Sequence, residues 1–313
     1  MDFGIMLPHH GHFATADGIR RMARASEDLG FDSVWASDHI IVPNAFKERF
    51  SPTFYELFGT LAHIAAITQR VKLGSTILIL NYRHPLMTAK QIATLDQLSG
   101  GRVIIGAAFG WIKEEYKVLG IPYEKRGARA DEIVQILKHV WQEGDNSFAG
   151  DFYQFGDFAF EPRPVQQPHP PIWFGGNDDR TLRRVVEQGN GWHPITSAKR
   201  PGSTQMSEAD FRERIAKLRG MAQDAGRDPA EIAISLHAPI SFDRDGSFLD
   251  PSFHLIGSES HILHNLDVCQ ELGLQHLILN HWYTMPGMID LKSVDGFIAT
   301  MERFARDVMP RYR

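Results

Sequence analysis

The 313-residue chain has a single cysteine, Cys269. One thiol excludes an intramolecular disulfide and any metal site built on cysteine, and it fits a reducing compartment. An excess of charge of one sign is also missing. Lys and Arg number 33 against 38 Asp and Glu, a net charge of −5 with a pI near 6.3. That balance leaves no basic footprint for nucleic acid and no basic run for an anionic membrane surface. No apolar stretch approaches the roughly 18 residues of a membrane span. The opening "MDFGIMLPHH" has neither a cationic start nor a long apolar run, so no secretory leader is expected. Short-period repeats and low-complexity tracts are absent. A cytoplasmic protein is the expectation.

What the chain does have is alternation. Short apolar runs at 2–7, 33–37, 72–80, 102–110, 171–176, 191–195, 231–240 and 275–280 read as strands. Between and after them, helical patterns are expected at 14–30, 52–69, 85–100, 126–143, 178–188, 207–224, 258–272 and 293–307. Thr15 is a plausible first cap and Gly30 a stop, while Pro52 opens the second helix. Apolar strands each followed by a helix form a parallel sheet, and this many units favour a closed (β/α)₈ barrel over an open sheet. Residues 1–313 are read as one barrel domain. Helix-to-strand connections are short. Several strand-to-helix connections, near 40–51, 108–125, 194–206, 241–257 and 281–292, are long. In a barrel the latter all lie on the face where active sites form. Segment 144–170 is an insertion after a helix, with "FAGDFYQF" reading as a hairpin and "PRPVQQPHPP" as an extended lead-in.

Histidines gather near the expected strand ends: His9, His10, His12, His39, His84, His193, His237 and His281. Any one of them could be a polar strand end, yet imidazole suits proton transfer near neutrality and metal binding. "FDSVWASDHI" (31–40) places Asp38 and His39 together at such an end, as a cap or as the rim of a reactive site. "HGH" (10–12) also invites a metal-dependent amidohydrolase barrel. The strands "RVIIGAAFG" and "PIWFGG" offer no further ligands, so that alternative lacks the three or so a catalytic metal needs. "WFGGNDDRTLRR" (173–184) joins a strand, two glycines and a helix start, which is either an anion cradle or a turn capped by Asn177 or Asp178. Asp178 and Asp179 already complement the helix dipole there. Trp111, Phe109 and Trp35 are either ligand walls or core, with core favoured for Trp35 inside its strand.

These stretches resemble the bacterial luciferase-like oxidoreductases, and within them the coenzyme F420-type subgroup. The carriers are "GFDSVWASDHI" (30–40), "KLGSTILILNYRHPLMTAKQIATLDQLSGGRVIIG" (72–106), "GWIKEEYKVLGIPYEKRGARADE" (110–132), "RPVQQPHPPIWFGGN" (163–177), "GNGWHP" (189–194) and "FARDVMPRYR" (304–313). The resemblance implies a (β/α)₈ barrel whose cofactor is coenzyme F420 or FMN. It implies hydride transfer with the deazaflavin, which is slightly favoured, or monooxygenation with FMN reduced elsewhere. Asp38 and His39 would border the ring, with His39 handling a proton. Ser75 and Thr76 would lie at a non-prolyl cis peptide behind it. Ala107, Ala108 and Phe109 would line the cofactor channel, and Gly175, Gly176 and Asn177 would hold its phosphate. Gly191 and His193 would pass near the same tail. Lys47, Arg49, Lys113, Lys199 and Arg200 could meet an anionic tail or form a solvated rim. Some relatives carry a glutamate near position 109, a role Phe109 cannot fill. Expected partners are a small organic substrate, a separate reductase and a second copy of the chain in a homodimer. A barrel that binds without turnover is the remaining alternative.

Overall fold

The computed structural model describes the chain except residues 12, 145, 196–205, 248–251 and 281–292, and except the side chains of 48 and 49. Strands β1 (Asp2–Met6), β2 (Ser33–Ala36), β3 (Lys72–Ile79) and β4 (Val103–Ala108) run parallel and side by side. A two-stranded hairpin of β5 (Phe148–Ala149) and β6 (Gln154–Phe155) stands apart. The barrel resumes with β7 (Ile172–Gly175), β8 (Gly191–His193) and β9 (Ala233–Phe242). Short β10 (Leu255–Gly257) pairs with the far end of β9, and β11 (His276–Asn280) lies between β9 and β1. Because β8 also pairs with β9, eight of these strands close into a parallel barrel.

Helices α1 (Ala16–Asp28), α2 (Lys47–Phe50), α3 (Leu57–Ile67), α4 (Pro85–Ser99), α5 (Lys113–Val118) and α6 (Arg126–Trp141) occupy the first half. The second half holds α7 (Asp179–Gln188), α8 (Glu208–Asp224), α9 (Glu259–Glu271) and α10 (Val294–Arg303). Thr15 caps α1 by accepting from the Gly18 N–H, and Gly30 takes a positive φ of 82° just past its end. The helix expected from Pro52 starts only at Leu57, where the Glu56 carboxylate accepts from the Gly59 N–H. Residues 53–55 are consumed otherwise. They lie extended against the chain after β1, with the Gly11 N–H donating to the Thr53 carbonyl and the Tyr55 N–H to the His9 carbonyl. The insertion does form its hairpin. Buried Glu132 on α6 anchors the bend, accepting from the N–H groups of Asp151, Phe152 and Tyr153.

Inside the barrel, Trp35 stacks on Trp173 at 5.6 Å and on His193 at 5.6 Å. Met6, Ile104 and Ile278 complete this layer. Two such indoles fit only because the strands beside them carry glycine. Gly74 pairs with Trp35 in register, and a Cβ there would lie 2.2 Å from the indole Cε3. Trp35 is therefore core, as its strand position indicated. The layer forms the floor beneath the mouth, where the carboxyl ends of the strands lie. Overpacking it with Gly74→Val is expected to cost about 1–3 kcal/mol, read as a lower urea midpoint at unchanged slope.

Candidate active site

Several strand-end histidines are explained by local structure. His9 Nδ1 lies 2.9 Å from the Leu7 carbonyl, and its Nε2 accepts the Ser37 N–H at 2.9 Å. These partners assign the Nδ1–H tautomer and tie the end of β1 to the end of β2. His84 caps α4 by accepting from the Leu86 N–H. His10 stacks on Phe54 at 4.9 Å. Burial drives His9 down to about 4 and His10 well below its ordinary value. His12 and His281 lie outside the described residues.

Adjacent Asp38 and His39 have different partners. Both Asp38 oxygens are committed: Arg83 donates to them at 2.7 and 2.9 Å, and the Ile79 N–H at 3.0 Å. Arg83 also reaches Glu56 at 2.8 Å. Burial lowers its guanidinium, but Asp38 and Glu56 outweigh that and raise it. The ion pair thus pins the end of β2 to the end of β3, and Asp38 offers no open oxygen to a ligand. His39 is held by a residue the sequence reading passed over. Its Nδ1 donates to Glu115 Oε2 at 2.7 Å. The fully buried Glu115 carboxylate also accepts from the Tyr82 hydroxyl at 2.8 Å and the Ile40 N–H at 2.9 Å. His39 Nε2 makes no hydrogen bond among the described residues. Glu115 sits on α5, in the first turn of "KEEYKV". Its sequence signal was faint, since an acid in a first turn reads as an ordinary partner of the helix dipole.

The expected cofactor residues divide in the same way. The Thr76–Ile77 peptide is cis and half-buried at the mouth. Thr76 Oγ1 lies 2.8 Å from His193 Nε2, while His193 Nδ1 lies 2.7 Å from Ser235 Oγ. Ser235 donates onward to the Trp192 carbonyl, so His193 carries its proton on Nδ1 and accepts from Thr76. Burial lowers His193 to about 3, so it stays neutral. Ser75 is buried and donates to the Gly106 carbonyl. Ala108, Gly175, Gly176 and Asn177 border the mouth or the start of α7. Ala107 and Gly191 do not. Ala107 packs into the barrel–helix core, and a Cβ on Gly191 would meet Trp173 at 2.5 Å, in the layer below. Phe109 is turned under Arg184, whose guanidinium lies 4.3 Å from the ring and is paired with Asp131.

The start of α7 fits a phosphate better than its sequence suggested. Asp178 caps the helix through the Thr181 N–H, but Asp179 faces α8, where Lys217 and Arg214 pair with it and lower its carboxyl. Trp192 Nε1 donates to the Gly176 carbonyl and fixes the turn. Asn177 Oδ1 is buried and accepts no hydrogen bond among the described residues. Small residues beside a hydroxyl fit a flat, partly polar ring, while the orphaned Asn177 oxygen, an acceptor whose Nδ2 already donates to the Ile195 carbonyl, suits a ligand hydroxyl or N–H and not a phosphate. Lys47 and Lys113 are exposed, with Lys113 over the Tyr123 ring. Lys199, Arg200 and the Arg49 side chain lie outside the described residues.

A profile of the luciferase-like monooxygenases matches residues 1–247. The chain belongs to that family of oxidoreductases. This luciferase-like chain is 36% identical over 181 residues to the FMNH(2)-dependent dimethylsulfone monooxygenase of Pseudomonas putida. The match takes in 56% of this chain and 48% of that protein, so the chain spans about half of it. An uncharacterized protein of Mycobacterium bovis is 30% identical over 226 residues, 68% of this chain and 74% of its own. The barrel superposes on monooxygenase RslO1 of Streptomyces bottropensis with a TM-score of 0.81, 23% identity and full coverage of both chains. It also superposes on the coenzyme F420-dependent tetrahydromethanopterin reductase of Methanopyrus kandleri, at 0.77 and 21%, covering 100% of this chain and 99% of that one. At such identities these two speak for the fold. The amidohydrolase alternative is not supported. His10 is stacked on Phe54, and no group of three potential metal ligands occurs among the described residues. No described helix is long and apolar enough to cross a membrane.

Two outcomes are expected. Asp38→Ala leaves the Arg83 charge without its main partner and is expected to destabilise the fold by about 3 kcal/mol, measured by chemical unfolding. Acid is expected to weaken the protein as well. His9 and His193 bind protons near 6.5 when unfolded but only near 4 and 3 when folded. Their contribution is whole above pH 6.5 and is lost as pH falls toward 4 for His9 and toward 3 for His193, by up to about 1.4 kcal/mol per pH unit for each. His9→Gln should flatten that slope.

Proposed function

We propose that this chain is a redox enzyme that holds a reduced flavin-type cofactor across the barrel mouth and acts on a small organic substrate. The observation that carries this reading is the His39–Glu115 pair. Burial keeps His9, His10 and His193 neutral. Among these four, His39 is the one that rests on a buried carboxylate. An imidazole held this way keeps its orientation while gaining or losing a proton at Nε2. The cofactor, when bound, supplies the electrons. Thr76, Ala108, Gly175, Gly176 and Asn177 would hold it, the last three through backbone groups at its phosphate. His39 would give or take the proton at the substrate, while Asp38 positions the β2 end that carries it. With Phe109 turned under Arg184, no acid at that position competes for this role.

Between the two cofactors, we adopt reduced FMN as the reading. The Pseudomonas putida relative named for FMNH(2) supports this choice over the deazaflavin that the subgroup resemblance favoured. A separate reductase would supply the reduced flavin, and a cytoplasmic setting suits both that supply and the unpaired thiol of Cys269. Residues 1–313 would act as one barrel domain, with a homodimer as the working assembly.

Side-by-side titration with FMN and coenzyme F420 tests the choice: saturable FMN binding is expected, and deazaflavin binding alone would reverse it. Binding of neither would sink the reading. His39→Ala is expected to keep the fold and FMN affinity and to cut substrate-dependent cofactor turnover by about 10²-fold or more. Glu115 is a positioning residue. Isotope-edited NMR of the His39 ring should show the Nδ1–H tautomer in the wild type and a tautomer mixture in Glu115→Ala. An unchanged spectrum would remove Glu115 from the site.

A further inference from the structure

The loop after β2 carries phenylalanine at every fourth position: Phe46, Phe50 and Phe54. Short α2 and the stretch that pairs with the chain after β1 place these rings. Phe50 and Phe54 flank the His39 ring at 5.2 and 5.1 Å. Trp111, from the loop after β4, meets Phe46 edge-on at 5.4 Å and Phe50 at 6.4 Å. All four rings are half-buried. Two loops distant in sequence therefore build one aromatic wall beside the imidazole assigned to proton handling.

We propose that the substrate is a neutral, ring-bearing organic molecule that lies against Phe46, Phe50, Phe54 and Trp111, beside the His39 imidazole. This rests on the redox reading above and names its substrate class. Three physical points select that class. Aromatic faces carry negative potential and disfavour an anion lying on them, while their area rewards a flat apolar partner. The same faces attract a cation, but among the described residues the neighbouring carboxylates are already committed and add no charge to that attraction. Asp38 is bound by Arg83, and Glu115 is buried behind His39 with its oxygens taken by His39, Tyr82 and Ile40. A molecule of a few atoms would cover little of a wall built from four rings, so size is read there as well as charge.

The test is calorimetric titration of the FMN-loaded protein with four probes. These are 1-tetralone, a neutral bicyclic ketone; dimethylsulfone; benzoate; and benzyltrimethylammonium. Tetralone is expected to bind at least about tenfold more tightly than each of the others. Phe50→Ala and Trp111→Ala are each expected to weaken it about tenfold. Phe50→Leu, which keeps apolar bulk, should fall between. FMN affinity should stay within about twofold in all three variants, which shows that the site is intact. Equal or tighter binding of the sulfone or of a charged probe would overturn the substrate class. So would tetralone affinity that ignores both alanine substitutions. Failure of FMN to bind would instead strike the cofactor reading, so the two failures are distinguishable.

Discussion

The candidate site depends on one buried carboxylate. Glu115 reaches from α5 across to the end of β2 and gathers His39, Tyr82 and the backbone of Ile40. An ionised carboxylate in a dry setting must collect donors or be protonated, and these donors come from two chain segments, residues 39–40 and Tyr82. Satisfying the charge therefore also sets the geometry. It orients one imidazole, fixes the start of the long loop after β2, and brings Tyr82 beside it. Burial and the adjacent charge of Glu115 push the Tyr82 hydroxyl far up, so it remains a donor.

A second ion pair supports the first from below. Arg83 and Asp38 join the ends of β2 and β3, so the residue before His39 is immobilised by a different bond from the one that orients His39. The neighbouring acid and histidine thus divide labour, one building the frame and the other facing the mouth. Beneath both lies the Trp35–Trp173–His193 stack, which closes the barrel interior and leaves the chemistry to the strand ends. His193 belongs to both levels. Its ring stacks on the floor, while its Nε2 accepts from Thr76 at the rim.

The barrel was legible because its signals are local. Apolar runs of strand length, helical periodicity, caps such as Thr15 and stops such as Gly30 each act within a few residues. The helix expected at Pro52 shows where that reasoning ends. Residues 53–55 instead pair with the chain after β1, far away in sequence, and the helix waits for Glu56. Of the site, His39 and Thr76 were legible, the latter through the resemblance. Ala107 and Gly191 stand in the expected stretches but meet packed layers: alternation turns Ala107 to the helix-facing side, and Gly191 lies on the inward face one layer below His193, against Trp173.

By itself, then, the sequence determined the order of strands and helices, the concentration of long loops on one barrel face, and the family. These follow from periodicity, composition and contiguous motifs, which a chain carries whether or not it is folded. Tertiary structure alone decided which polar groups meet. Nothing in residues 31–40 says that Asp38 binds Arg83 while His39 binds Glu115, because the partners lie 45 and 76 residues away. Nor does spacing reveal that Trp111 joins Phe46 and Phe50 in one wall. Hydrogen-bond and ring partners are set by closure of the barrel, which brings together strand ends that share no local pattern.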